Sequence, residues 1–128
     1  VPDPAAITDA YATIKTIATL RNDISMILNQ VKNEKEAVAV FGKIKKVADA
    51  NIGKGLDLRL IGKINADIKV SSSVKKRALF SAEYPTSQVG RDIGEIVNKI
   101  VSKLERNVLV TSNESGLSGL FKRLIEHF

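Results

Sequence analysis

Between Ile7 and Val31 an apolar residue falls at almost every third or fourth place: Ile7, Ala10, Ile14, Ile17, Ile24, Leu28 and Val31. Steps that alternate between three and four are those of a helical seam, one stripe of side chains lying against another surface. Asp3 can cap such a helix, and Pro4 suits its first turn, where no amide donor is missed. The pattern predicts one helix from Pro4 to Val31, longer than the ~11–12-residue mean of globular helices. Burying a large aliphatic side chain is worth roughly 1.5–3 kcal/mol, so the stripe must meet something. The candidate seam is Ile7, Ile14, Ile17, Arg21, Ile24, Leu28 and Val31. Arg21 interrupts the apolar line and would set register if the seam joins two molecules.

The rest of the chain repeats the pattern in shorter pieces. Asn33 followed by Glu36 reads as a capping box. A helix over 34–50 then carries Ala37, Val40, Phe41, Ile44, Val47 and Ala48 on one side and Lys35, Lys43 and Lys46 on the other. Gly53 and Gly55 supply the left-handed geometry of its end. Residues 56–70 fit two readings. Leu56, Leu60, Ile64 and Ile68 repeat every four, which favours helix, while "DLRL" and "DIKV" alternate, which favours strand; helix is the expectation taken. Ser71–Ser73 form a cap or a break, and a short helix through "VKKRALFSAEY" stops before Pro85. From 87 to 107, Val89, Ile93, Ile96, Val97, Ile100 and Leu104 share one arc, with Asp92 and Glu95 placed on the outward face. Gly90 and Gly94 in that helix can let a neighbouring helix come close. "TSNESG" at 111–116 is a loop, and "LSGLFKRLIEHF" closes the chain with a last apolar stripe. The expectation is therefore an all-α fold, a single-domain bundle of about five helices over residues 1–128.

Apolar residues make up 44% of the chain and charged residues 27%, ordinary globular usage. The absence of Cys excludes disulfides and thiolate chemistry. No run approaches the length of a bilayer-spanning helix. A start at Val1 rather than Met suggests a cleaved precursor or a trimmed chain, and the expectation taken is a protein that is secreted or otherwise processed. The net charge of +6 is concentrated in residues 32–77, which hold twelve basic side chains against five acidic ones. Lys43, Lys45, Lys46, Lys75, Lys76 and Arg77 are the candidate anion-binding set; a solvated, solubilising face is the plainer explanation.

Chemistry-bearing patterns are scarce. His127 is the only histidine and reads as an exposed end residue. No phosphate-cradling loop, nucleophile elbow or metal-ligand spacing occurs. Asn113 heads a glycosylation sequon that matters only in a secreted eukaryotic protein. The sequence thus implies no catalytic, metal or cofactor site and no evident small-molecule substrate. It points to a non-enzymatic helical protein acting through protein–protein contact or self-association, a component of an assembly or a processed accessory factor. The alternative is a protein that binds nucleic acid or another anionic polymer through residues 32–77. A membrane surface is a weaker partner, through the terminal stripe. The start "VPDPAAI" and the Ile-, Thr- and Asn-rich stretch behind it resemble the minor pilins of type IV secretion systems over about the first thirty residues, and no residue roles are carried over from them.

Overall fold

The Asp3 carboxylate accepts from the Ala5 amide at 2.9 Å, and the expected capped helix starts there as α1 (Pro4–Ile17). It stops well before Val31. The hydroxyls of Thr8, Thr13 and Thr16 donate to carbonyls four residues back, the local bonding that makes Thr a poor helix former. By Thr19 and Leu20 the bonds have tightened to a spacing of three. The chain then extends into a strand, β1 (Asp23–Val31). Along "DISMILNQV" the inward Ile24, Met26 and Leu28 alternate with the exposed Ser25, Ile27 and Asn29. This is the two-residue period of a strand. It also matches every second step of a three-four seam, which is why it passed for helix. The computed structural model describes residues 3–111.

Helix α2 (Glu34–Asn51) begins as expected. Asn33 Oδ1 accepts from the Glu36 amide at 2.9 Å, and Glu36 reaches back to the Lys32 amide at 2.7 Å. Gly53, at φ +118°, turns the chain after it. Strand β2 (Asp57–Asn65) follows and pairs parallel with β1, with Ile24 opposite Leu58 and Met26 opposite Leu60. The segment 56–70 is therefore not one helix: it is this strand and then the start of α3 (Ile68–Lys76). Parallel strands need a crossover, and α2 supplies it. Because the sheet is parallel, its strands end on the same side.

Ser71–Ser73 lie inside α3 rather than breaking it, and a four-residue helix, α4 (Phe80–Glu83), stands before Pro85. The last described element, α5 (Gln88–Thr111), agrees with the helix expected from 87. Among the described residues the all-α expectation is thus corrected to a mixed α/β architecture with a two-stranded parallel sheet. The minor-pilin resemblance rested on one long first helix, which ends at Ile17.

The core lies on one face of the sheet. Ile14 of α1, Val40, Ile44 and Ala48 of α2, Leu56 and Leu58 are buried together, and Ile24, Met26 and Leu28 pack against them. Helix α5 crosses the other face at β2. A Cβ built on Gly62 would sit 2.5 Å from Ile96 Cγ1, so this glycine admits the helix. The close approach expected of Gly94 is not found, since nothing lies within 4 Å of a Cβ there, and Gly90 meets only its own turn at Tyr84–Ser87.

Candidate functional site at the carboxyl ends of the strands

In open parallel sheets, ligands bind in the crevice beyond the carboxyl ends of the strands. Here that end holds a crevice of about 520 Å³, a size usual for small-molecule sites. Asn29 and Gln30 of β1 and Ile64 and Asn65 of β2 form its floor; Ile68 of α3 and Phe80 of α4 wall it. The register slips between Asn29 and Val31. Gln30, at the slip, takes a left-handed φ of 60° and donates its amide to Asn29 Oδ1 at 2.9 Å. A bulge with a non-glycine residue in this conformation re-aims side chains and is commonest beside functional sites. Asn65 Oδ1 is buried without a hydrogen-bond donor among the described residues. Two side-chain amides beside aliphatic walls and a ring can recognise a flat polar group, by its edge through the amides and by its faces through the apolar surfaces.

Asp92 of α5 holds this end of the sheet. It is 2% exposed, and it accepts from Lys63 Nζ at 2.8 Å, the Asn65 amide at 2.9 Å and Gln88 Nε2 at 2.9 Å. Burial pushes its carboxyl pKa up, but the Lys63 ammonium and the two amide donors outweigh burial and hold it below the ordinary Asp value. The outward placement expected of Asp92 is therefore wrong. Glu95, its expected companion, is exposed.

The seam candidates do not form one line. Ile14 is in the core and Ile7 packs beside it; Ile17 ends α1, 38% exposed. Arg21 lies in the turn, its guanidinium on the Asp23 carboxylate at 3.1 Å. Ile24 and Leu28 face the core from β1, and Val31 closes that strand, buried. The six candidate anion-binding residues separate into two groups. Lys43, Lys45 and Lys46 lie on α2, where Lys45 pairs with Asp49 at 3.1 Å; Lys75, Lys76 and Arg77 lie at the end of α3. His127, Asn113 and the terminal apolar stripe lie outside the described residues. Among the described residues no helix is long and apolar enough to cross a membrane.

Asn29, Asn65 and Lys63 escaped the sequence reading because their segments read as helix. A signal existed: "MILN" and "KIN" each end an alternating run on an asparagine, the place where a parallel strand delivers polar groups to a ligand.

No protein-family model matches the chain. The chain is similar to the flagellum site-determining protein YlxH of Helicobacter pylori, 36% identical over 126 residues. The match covers 98% of this chain and 42% of the relative, so the chain spans less than half the length of the protein it resembles.

Proposed function

We propose that this chain acts in flagellar placement, as the part of a longer protein that couples a ligand crevice to protein contact. The observation that carries the role is the 36% identity over nearly the whole chain to a flagellum site-determining protein. That name states a role and not a reaction, and protein contact is the activity the role requires. The test is an in-frame deletion of the coding region in the source organism, followed by electron microscopy of whole cells. Misplaced or misnumbered flagella are expected; normal number and position would overturn the reading.

The crevice favours a ligand with a flat, hydrogen-bonding ring, such as a nucleobase. Asn29 and Asn65 offer both donors and acceptors at the carboxyl ends of parallel strands, and Ile64, Ile68 and Phe80 supply apolar walls. Saturation-transfer NMR with adenosine, guanosine, cytidine and uridine tests this directly. At least one base should receive saturation from the protein, and Asn65→Leu should abolish the transfer. Silence from all four nucleosides at millimolar concentration would exclude a base in this crevice.

A further inference from the structure

Helix α3 walls the crevice with Ile68 and Ser71, and the same face runs on beyond the crevice without cover. Ile68 is 84% exposed and Val74 70%, and Leu79 just beyond the helix is 72% exposed. Ser71 lies three residues after Ile68, and Val74 and Lys75 lie three and four after Ser71, so they line one face. The opposite face is anchored. Ser73, 1% exposed, donates its hydroxyl to the Glu83 carboxylate at 2.7 Å, which ties α3 to α4. Large aliphatic side chains grouped this way on a held surface mark an interaction site.

The charge around the stripe is one-sided. Lys75 and Lys76 fill the last turn of α3, and Arg77 follows in a left-handed conformation, φ 54°. None of the three forms an ion pair among the described residues. The nearby acids are otherwise engaged: Asp67 caps the helix by accepting from the Lys69 amide at 2.8 Å, and Glu83 receives Ser73. Lys69 lies 5.3 Å from the centre of the Tyr84 ring. A helix C-terminus already favours cations, but three consecutive ones beside an apolar stripe also complement an acidic partner.

From this pairing we propose that the exposed face of α3 beyond the crevice, with Val74 and Leu79 next to Lys75, Lys76 and Arg77, docks an acidic amphipathic segment of a partner protein. A lipid surface fits less well. Interfacial segments insert a row of Trp, Phe and Leu, whereas on this face Leu79 is the one exposed residue of those types and Phe80 is packed at a tilt against Tyr84. Nucleic acid would leave the aliphatic stripe uncovered.

The test uses the full-length polypeptide in the cells that make it. A photo-crosslinking residue is placed at Val74, with a control at Val38, which is exposed on α2, and adducts are mapped by mass spectrometry. The expected adduct at Val74 joins one protein through a segment that alternates apolar and acidic residues. Reversing Lys75, Lys76 and Arg77 to Glu should reduce it about tenfold, and changing the acids of the mapped segment to Lys should restore it. Circular dichroism of the reversed variant guards against misfolding; Leu79→Ser, which alters no charge, should also weaken the adduct. The proposal is overturned by no adduct above the Val38 control, by an adduct to lipid or to the polypeptide itself, or by an adduct indifferent to charge reversal.

Discussion

Two residues decide how α5 meets the sheet, and both carry measurable consequences. Asp92 ties the helix to the end of β2 through Lys63 and the Asn65 amide. Removing one partner of a buried ion pair leaves the other charge uncompensated, which typically costs 3–5 kcal/mol. Asp92→Asn keeps the shape and an acceptor, so urea denaturation should report a loss near the low end, about 3 kcal/mol. The pH dependence has a definite sign. A carboxyl whose folded pKa lies below its unfolded value stabilises the fold fully above the unfolded value, near 3.8, and that contribution fades as the pH falls through the folded value. Melting temperatures of the parent chain should therefore drop more steeply than those of Asp92→Asn between pH 4 and about pH 2; parallel profiles would show that the pair does not matter. Gly62 acts by absence of a side chain. Gly62→Ala would force a methyl into Ile96 and should cost about 1–3 kcal/mol as overpacking does. In Gly62→Ala/Ile96→Ala that clash is gone, so the double variant should lose less than the two single losses added together. Neither residue announces itself in the sequence. Asp92 borders the apolar arc of its helix, and only the arrival of Lys63 from a strand turns it inward; a lone glycine in "LIGKIN" says nothing of what lies above it.

At the scale of elements, the start signals were legible, and the periods were legible in α2 and α5 but not in the two strands. Asp3, Asn33 and Pro85 each act as read: two helix caps and a helix stop. These signals are local chemistry, in which a side chain satisfies an amide two or three residues away. Asn33→Ala should accordingly cost about 1 kcal/mol, seen as a lower denaturation midpoint at unchanged slope; an unchanged midpoint would mean that the Glu36 amide finds water at no loss. Period is different, because it is a statement about neighbours. Ile24 and Leu28 are four apart and satisfy a helix, yet Met26 between them also faces the core, which only a strand allows. The same ambiguity hid β2, where Leu56 and Leu60 fit a helical count while Leu58, two residues from each, is the one buried deepest at 4%. With both strands taken as helix, the crevice at their ends could not be anticipated, nor could the parallel pairing that creates it.

The molecule as a whole has an asymmetry that one more experiment can exploit. Parallel sheets occur almost only with both faces covered, and a sheet of two strands leaves two edges. Over β2, on the face away from the core, α5 provides cover: Lys99 donates to the Ile61 carbonyl at 2.9 Å and Asp92 accepts the Asn65 amide. Strand β1 pairs with β2 alone among the described residues. Beside it the apolar surface is open, with Ile27 42% exposed and Ile93, Val97 and Ile100 of α5 exposed by 42%, 49% and 37%. The chain spans 42% of the relative's length, so a longer polypeptide has ample material to continue the sheet at β1 with another parallel strand and to lay a helix along α5. The two contexts then give opposite expectations for Ile27→Lys. In the 128-residue chain the new ammonium points into water, and the melting temperature should shift by no more than a surface change does, within about 0.5 kcal/mol. In a polypeptide of the relative's full length the same lysine would be buried beneath the added strand and helix, and the loss should rise to the several kcal/mol of an unpaired buried charge. Equal losses in both contexts would mean that β1 is a true edge and that the apolar strip beside it serves something other than the completion of the fold.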